Sequence, residues 1–322
     1  MKLCAFGELL IDVTPYGISD KGYELCEFNP GGAPANVAVA LRNLEQEASF
    51  IGQVGNDHYG NFLKSVLHEK SVDVDGLVLS SDYLTTLAMV SLGEGGERSF
   101  SFYRQNGADV MMKPLPEYFQ KIEEADIFHF GSVTMSDEPS RSTTFELLEY
   151  AKKIGKIISF DPNLRELLWD DLREAKRQIK KALPFTDILK VSEEELYFLT
   201  EIKDVASACT ILSHGNSIPL ILVTFGAKGS AFFIRNHLIE VPGFSVKAID
   251  TTGAGDGFLG GFLSCFMDLK KPIEMLSLEE LTGFLRFANA CGAYATLKKG
   301  AIGALATKPR LKEKFGDQPW IG

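Results

Sequence analysis

Residues 250–257 of this 322-residue chain read DTTGAGDG, a glycine-rich stretch between an apolar run at 244–249 and a helical pattern at 258–267. We interpret the apolar run as a strand, so that the loop opens onto the N-terminus of a helix, where free N–H groups and the helix dipole favour an anion. Gly253 and Gly255 allow a phosphate to approach the backbone closely. Asp256 then lies in the first helical turn, where its carboxylate could take a proton from an attacking hydroxyl or could simply cap the helix.

A second glycine-rich stretch, GGAPAN at residues 31–36, precedes a helical pattern at 37–44. Gly31 and Gly32 would let a ligand lie against the backbone, and the amide of Asn36 can both donate and accept hydrogen bonds. The segment GELLID at residues 7–12 places Asp12 at the expected carboxyl end of the first strand, where open α/β sheets bind ligands. Asp12 and Asn36 suit a polyol, although each of them alone could also be a turn or capping residue.

Strand-like and helical patterns alternate along most of the chain, which predicts an α/β fold. Short apolar runs at 3–11, 49–54, 127–130, 157–160, 188–191 and 220–224 are separated by amphipathic stretches such as 140–154, 170–183 and 193–200. Continuous apolar runs are typical of strands that helices cover on both faces, so we expect a mostly parallel sheet in a three-layer α/β domain. The length suits one large domain, with or without a small appendage.

Two segments, at residues 14–30 and 85–104, interrupt this alternation and lack helical periodicity. In the second segment, alternating patterns at 86–92 and 98–104 flank the sequence GEGG at 93–96, which predicts a β-hairpin. The two segments could form a small β-sheet that projects from the main domain as a lid over a ligand. The alternative is that both are long surface loops.

The composition limits the classes of function. The net charge is −10 without a basic stripe, which argues against nucleic acid as a partner. No apolar run approaches the ~20 residues that span a bilayer, and we interpret residues 1–12 as a buried strand rather than a signal peptide. The five cysteines form no CxxC pair, which indicates reduced thiols. We therefore expect a cytoplasmic protein without membrane or nucleic-acid partners.

The combination of GGAPAN and DTTGAGD resembles the PfkB (ribokinase-like) carbohydrate kinase family over residues 2 to about 307. The second stretch matches the family pattern at every defining position, and the first departs from it at Glu45, where the family usually has a small residue. The resemblance implies a three-layer α/β/α ribokinase-like domain formed by residues 1–13, 31–84 and 105–322. It also implies that residues 14–30 and 85–104 form the small β lid, whose exposed apolar face could join two copies in a homodimer.

The resemblance assigns catalytic and sugar-binding groups residue by residue. Asp256 corresponds to the base that deprotonates the acceptor hydroxyl, and the backbone of Gly253, Ala254 and Gly255 corresponds to the anion hole for the phosphoryl group transferred from ATP. The residues expected at the sugar are Asp12, Gly31, Gly32, Asn36, Tyr103, Arg104, Arg165 and Asp256.

Two further groups are implied at the nucleotide and at metal ions. The residues expected at ATP are Asn163, Ser192, Glu195, Thr224, Gly226, Lys228, Gly229, Gly255 and Asn289. Glu195 would also act on Mg²⁺ through water, while Ser192 replaces the usual Asn. A monovalent cation site for K⁺ is matched by Asp250 and Thr252 with the backbone carbonyls of Ala295, Lys298 and Gly300, although Ala304 stands where ribokinase offers a serine. Taken alone, Glu195 and Asn289 could equally lie on a solvated helix face.

The choice of sugar depends on FDPNLR at residues 160–165, where the Arg165 guanidinium could clamp a phosphate, and on Tyr103-Arg104 from the lid. Together with Ala108-Asp109, these residues resemble the fructokinases, which implies phosphorylation of the 6-hydroxyl of D-fructose. Kinases of 2-keto-3-deoxygluconate (2-dehydro-3-deoxygluconokinases) share part of the pattern and are the alternative enzyme. A non-catalytic sugar-sensing or scaffold protein is a second alternative, which the presence of both Asp256 and the anion-hole glycines disfavours.

Overall fold

The computed structural model describes residues 1–92 and 98–318. Within these residues the strands are β1 (Lys2–Phe6), β2 (Leu10–Ile18), β3 (Glu24–Gly31), β4 (Glu47–Gly55), β5 (Leu77–Ser80), β6 (Leu87–Leu92), β7 (Arg98–Tyr103), β8 (Ile127–Phe130), β9 (Ile157–Phe160), β10 (Ile188–Ser192), β11 (Leu220–Thr224), β12 (Gly229–Ile234) and β13 (His237–Pro242). The helices are α1 (Ala33–Asn43), α2 (His58–Glu69), α3 (Pro116–Glu124), α4 (Ser140–Lys153), α5 (Leu172–Ala182), α6 (Glu193–Thr200), α7 (Val205–Asn216), α8 (Ala254–Leu269), α9 (Leu278–Ala295) and α10 (Lys308–Phe315).

The larger sheet is mostly parallel and is buried on both faces. Its strands follow the spatial order β13-β12-β11-β10-β9-β8-β1-β4-β5, and β12 and β13 pair antiparallel at one edge. Because successive side chains on a strand point to opposite faces, Ile188 of β10 enters one core and Leu189 enters the other. Helices α1, α8 and α9 cover the first face, and α4, α5 and α7 cover the second. The expected three-layer α/β/α architecture is confirmed.

Most elements expected from the sequence are confirmed, and β8, β9, β11 and α6 have the expected bounds. Two strand predictions are wrong. Residues 244–249 form no strand, because they lie beyond the edge strand β13 and stay largely exposed, with Ile249 60% exposed. The apolar run at 3–11 is not one strand: β1 ends at Phe6, and the chain then crosses to a second sheet. Asp12 therefore lies on β2 and not at the end of β1.

The second sheet, called here the small sheet, has the order β3-β2-β6-β7. It contains the two segments that interrupt the α/β alternation, so the predicted small sheet is confirmed and the surface-loop alternative is wrong. Strand β2 starts at Leu10, four residues before the predicted segment, and pairs antiparallel with β3 and parallel with β6. The predicted turn at 93–96 lies outside the described residues.

No helix in the described parts of the chain is long and apolar enough to cross a membrane. The five cysteines all lie within those parts and are free thiols, in agreement with the sequence, and Cys4, Cys209 and Cys291 are buried.

Candidate active site

The candidate site lies at the carboxyl ends of the parallel strands, the edge where open α/β sheets bind ligands. Glu8 follows β1, Asp161 follows β9, and Ser192 ends β10. Helix α8 brings its N-terminus to the same edge, where Asp256 contacts the loop after β9 through Asn163. The fold therefore gathers side chains that lie up to about 250 residues apart in the chain.

The N-terminus of α8 has the geometry that an anion hole requires. Gly253 precedes the first helical residue in the left-handed region, at φ 77°, a conformation that L side chains rarely adopt. Among the described residues, no side chain caps this helix. The first N–H groups of a helix have no intrahelical acceptor, so those near Gly255 can bind an anion.

Asp256 lies in the first turn of α8 and is 5% exposed. Its Oδ2 accepts a hydrogen bond from Asn36 Nδ2 at 2.7 Å, and its Oδ1 accepts one from Asn163 Nδ2 at 3.4 Å. The carboxylate thus bonds to two amide side chains and does not cap α8, which removes the capping alternative. Burial raises the pKa of Asp256, while the Asn36 hydrogen bond and the charges of Lys190 and Arg165 oppose the rise. A raised pKa makes the carboxylate a stronger base.

Asp12 approaches the same place from the small sheet. Its carboxylate lies over Gly31, where a Cβ would collide with it, and a Cβ on Gly32 would collide with the carbonyl oxygen of Glu8. Burial raises the pKa of Asp12 to about 6; the charge of Arg165 opposes this rise, while Asp256 and Asp250 add to it. The structure therefore brings together Asp12, the Gly-Gly pair and Asp256, as expected from the sequence.

Arg165 is exposed and lies close enough to lower the pKa of Glu8, of Asp12 and of Asp256 against the effect of burial. It follows β9 and begins a short 3₁₀ helix at Glu166–Leu168. Its guanidinium is thus a positive charge beside the carboxylates of the site.

Glu8 is a buried carboxylate that the sequence analysis did not single out. It is 3% exposed, and its Oε1 accepts a hydrogen bond from the N–H of Ala33 at 2.8 Å. Its Oε2 is buried and has no hydrogen-bond partner among the described residues. Burial raises the pKa of Glu8 to about 7. The signal in the sequence was its place beside Asp12 in GELLID, at the point where the chain crosses to the small sheet.

Lys190 and Asp161 form a second group that the sequence analysis missed. The ammonium of Lys190 donates to both carboxylate oxygens of Asp161, at 2.9 Å and 3.1 Å, and both residues are buried. Burial lowers the pKa of Lys190, but the carboxylates of Asp161, Glu195 and Asp256 together raise it above its usual value. A charged residue inside the apolar strand sequence ILKVS was the signal for this pair.

On the expected nucleotide side, Glu195 is tied to two parts of the backbone. Its Oε2 accepts from the N–H of Ser192 at 2.8 Å, and the Ser192 hydroxyl accepts from the N–H of Glu195 at 3.1 Å, which forms a capping box. The Oε1 of Glu195 accepts from the N–H of Leu164 at 2.7 Å. Glu195 therefore fixes the loop that carries Asn163 and Arg165, and it does not lie on a solvated helix face.

The other residues expected at ATP lie at the end of the sheet near β11. Thr224 ends β11, a 3₁₀ turn spans Gly226–Lys228, and Lys228 is exposed. Gly229 has φ 119°, and a Cβ there would collide with the carbonyl oxygen of Val241. Asn289 is buried, and its Nδ2 donates to the carbonyl oxygens of Val241 and Pro242 at 3.2 Å. Like Glu195, it does not lie on a solvated helix face.

Asp250 contacts two of the other residues expected at the cation site, Thr252 and Gly300. Asp250 Oδ1 accepts from the N–H of Thr252 at 3.0 Å and from its hydroxyl at 2.7 Å, and Asp250 Oδ2 accepts from the N–H of Gly300 at 3.1 Å. Among the described residues, no group of three or more His, Cys, Asp or Glu side chains could hold a metal ion. A cation here would depend on Asp250 together with backbone carbonyls.

Tyr103 and Arg104 differ sharply in environment. Tyr103 is 69% exposed, whereas Arg104 is 7% exposed. The Arg104 guanidinium donates to Asp109 Oδ2 at 2.7 Å, to the Ser136 hydroxyl at 2.7 Å and to the carbonyl oxygen of Val133 at 3.2 Å. Arg104 thus anchors the end of β7 to the main domain, and a contact between Arg104 and a sugar stays a prediction.

Comparisons with known proteins show the family of this chain. Residues 1–308 match the family described as pfkB family carbohydrate kinase. Fructokinase-1 of Zea mays is 41% identical over 312 residues, which cover 95% of each chain. A double mutant of the fructokinase from Vibrio cholerae O395, in its fructose, ADP and potassium ion bound form, superposes with a TM-score of 0.85 at 35% identity over 97% of each chain. The fructokinase from Xylella fastidiosa with bound ATP gives a TM-score of 0.88 at 34% identity, over 98% of this chain and 99% of that one.

The fold and the site define a sugar phosphotransferase with a ribokinase-like architecture. The chain belongs to the pfkB family of carbohydrate kinases.

Proposed function

We propose that the protein is a fructokinase, which transfers the γ-phosphoryl group of ATP to the 6-hydroxyl of D-fructose with Asp256 as general base. The observation that carries this proposal is the buried carboxylate of Asp256, held by Asn36 and Asn163 beside the uncapped N-terminus of α8. The names of the relatives supply the choice of sugar.

In this mechanism the proton of the 6-hydroxyl passes to a carboxylate oxygen of Asp256 while the sugar oxygen forms its bond to the γ-phosphorus. The bond from that phosphorus to the bridging oxygen breaks, and its electron pair stays with ADP. Asn36 holds the base in position, and its buried Oδ1, which has no partner among the described residues, can accept a hydrogen bond from the sugar. The backbone at Gly253, Ala254 and Gly255 surrounds the phosphoryl oxygens, because phosphoryl transfer depends on positioning and charge stabilisation.

Mg²⁺ and K⁺ fit the donor groups in different ways. Both oxygens of Glu195 already accept backbone N–H groups, so this residue suits contact with Mg²⁺ through water, as expected for an ion that keeps several waters. When bound, Mg²⁺ neutralises charge on the ATP phosphates. For K⁺, the candidate ligands remain Asp250 and Thr252 with the carbonyls of Ala295, Lys298 and Gly300.

The charges at the sugar side favour a neutral ketose over 2-keto-3-deoxygluconate. Asp12 and Asp256 place two carboxylates near the exposed guanidinium of Arg165. The guanidinium of Arg104, the group expected to bind the carboxylate of an acid, is occupied by Asp109, Ser136 and Val133. An acidic sugar would therefore meet more repulsion than attraction at this site.

The small sheet is proposed to act as a lid that excludes water, since water in an open site would accept the phosphoryl group. Several large apolar side chains on this sheet are exposed, namely Tyr16, Ile18, Leu25, Phe28 and Tyr103, and so is Tyr23 in the connection between β2 and β3. Such a face suits contact with a second copy, so we propose a homodimer joined through the small sheets. Sedimentation at micromolar concentration tests this point; a monomer would remove the dimer and leave the kinase assignment intact.

A substrate panel tests the proposed activity. Purified protein with ATP and MgCl₂ would be offered fructose, 2-keto-3-deoxygluconate, ribose, tagatose and adenosine, with ADP release as the readout. We expect the highest kcat/KM with fructose. A higher value with 2-keto-3-deoxygluconate would overturn the fructokinase assignment and leave the sugar kinase class untouched.

A further inference from the structure

Lys190 is a buried cation that the mechanism above does not use. It projects from β10 at the site edge of the sheet, is 6% exposed, and is fixed by two hydrogen bonds to Asp161. A buried ion pair is weak evidence for a stabilising role, because well-packed apolar residues often serve the fold as well or better. The position of the ammonium therefore needs a different explanation.

The ammonium lies beside Gly255, one of the residues of the expected anion hole. A Cβ added to Gly255 would stand 3.0 Å from Lys190 Nζ, a spacing that would force one of them to move. Gly255 is inside α8 and does not have a positive φ, so its backbone conformation does not require glycine. Glycine disfavours a helix relative to alanine, which indicates that position 255 is kept small for other reasons. Space for the Lys190 ammonium is one such reason.

Charged and titratable groups face this ammonium from four elements. Asp161 follows β9, Glu195 belongs to α6, Asp256 belongs to α8, and His129 lies on β8. Asp256 is in turn faced by Arg165, by the carboxylate of Asp12 and by the amides of Asn36 and Asn163. Lys190 lowers the pKa of Asp256 against the effect of burial. The ammonium thus acts on the expected base without touching it.

We propose that Lys190 is a positioning residue for phosphoryl transfer: its ammonium, fixed by Asp161 beside Gly255, supplies a permanent positive charge next to the anion hole. This inference rests on the proposed kinase mechanism. A charge that is already in place where negative charge develops needs no reorganisation during the reaction, which is the basis of electrostatic stabilisation by enzymes. The same charge lowers the pKa of Asp256 against the effect of burial and so favours the carboxylate form, which can accept the proton of the sugar hydroxyl.

The test compares wild type, Lys190→Met and Lys190→Arg by kcat, by KM for fructose and ATP, and by the pH profile of kcat between pH 5 and pH 9. Loss of a preorganised donor at such a hole typically lowers kcat about 10²-fold, and we expect this for Lys190→Met with KM for fructose near the wild-type value. Without the ammonium the pKa of Asp256 rises, so the acidic limb of the profile should move to higher pH. Lys190→Arg keeps the charge and should return the limb toward its wild-type position. A Lys190→Met enzyme with kcat within threefold of wild type and an unmoved limb would overturn the proposal.

Lys190→Met leaves the Asp161 carboxylate buried without its partner and could fail to fold, so the double variant Lys190→Met/Asp161→Asn is the second arm. Both charges are then removed, and circular dichroism with thermal melting verifies the fold. A folded double variant that stays about 10²-fold slow with a displaced limb supports the proposal. Recovery of wild-type kcat and limb by the double variant would show that Lys190 acts structurally and would overturn it. If the substrate panel rejects fructose, the same comparison is made with the sugar that the enzyme accepts, so the two proposals fail separately.

Discussion

The N-terminus of α8 and the small sheet both contribute to the site, but they are held in the molecule in opposite ways. Around α8, Gly260 packs against Ala40 of α1 and Gly261 packs against Cys291 of α9, at spacings that leave no room for a Cβ. The small sheet leaves Tyr16, Phe28 and other large side chains exposed and is tied to the main domain near its base, for example by Thr85 to Asp57 at 2.8 Å. The difference suits the two roles proposed above, a base with a fixed position on α8 and a cover for the sugar formed by the small sheet.

This comparison predicts that changes on the α8 side remove turnover without removing binding. Asp256→Asn should fold normally, because the amide keeps one acceptor for Asn36, but it cannot take the proton of the sugar hydroxyl. General bases contribute about 10²–10⁴-fold, and we expect a loss of kcat in this range. Coupled-assay kinetics measure the loss, and thermal melting verifies the fold. The exposed Asp82→Asn serves as a matched control, and turnover of Asp256→Asn within a few-fold of that control would exclude Asp256 as the base.

A change on the small-sheet side should instead affect use of the sugar. Asp12→Ala removes the carboxylate that β2 places over Gly31, and a buried partner left unpaired weakens binding strongly. We expect kcat/KM for fructose to fall about 10²-fold or more, as for loss of hydrogen bonds to a substrate hydroxyl. ATP binding measured without sugar by calorimetry should stay near the wild-type value. Equal losses of sugar use and ATP binding would mean that the two regions are not functionally separate.

Glu8 lies at the junction of the two regions and predicts an effect of pH on stability. In the folded protein, burial raises the pKa of Glu8 from 4.5 to about 7. Between these two pH values the folded protein therefore holds a proton that the unfolded chain has released. The contribution of Glu8 to the free energy of unfolding falls as the pH rises through this range. Glu8→Gln cannot ionise, so it avoids the free-energy cost of a buried carboxylate, and its side-chain oxygen can still accept the hydrogen bond from the N–H of Ala33. We expect the variant to be more stable than wild type at pH 8 by on the order of 2 kcal/mol, with a much smaller gap at pH 5.

Urea unfolding at the two pH values measures this gap. Glu146→Gln, an exposed change on α4, is the matched control and should show no pH-dependent gap. A constant difference between Glu8→Gln and wild type at both pH values would contradict the proposed buried ionisation.

The smallest expected effect is a change in hydrogen exchange. Fructose should increase protection in β2, β3, β6 and β7 several-fold if the small sheet closes over the sugar, while amides in the interior of α8 should change little. Mass spectrometry of peptides from both regions, with and without fructose, measures the contrast. Unchanged protection in the small sheet would count against closure. Equal changes in the small sheet and in α8 would contradict the view that only the small sheet moves.

Sequence reasoning succeeded where a local pattern carries the structure. The glycine-rich stretch at 250–257 predicts a loop that opens onto a helix, and α8 begins at Ala254. The alternating patterns at 86–92 and 98–104 predict strands, and β6 and β7 form there. It failed for residues 244–249, where an apolar run suggested a strand but the segment stays largely exposed. It also misplaced Asp12, because an apolar run cannot show that the chain leaves one sheet for another.

The sequence by itself determined the class of fold and the chemistry of the main groups, since helix starts, strand periodicity and glycine-rich loops depend on neighbouring residues. Only the tertiary structure decided which groups meet. Asp256 and Asn36 are 220 residues apart in the chain and 2.7 Å apart in space. Lys190 and Glu8 lie inside apolar segments of the sequence, and only the packing of distant elements shows that both are buried next to the site. The sequence predicts Arg104 as a sugar-binding residue, and only the tertiary structure shows that its guanidinium also donates to Asp109 and Ser136. Contacts of this kind depend on the whole chain, because no local pattern encodes the distance between two remote residues.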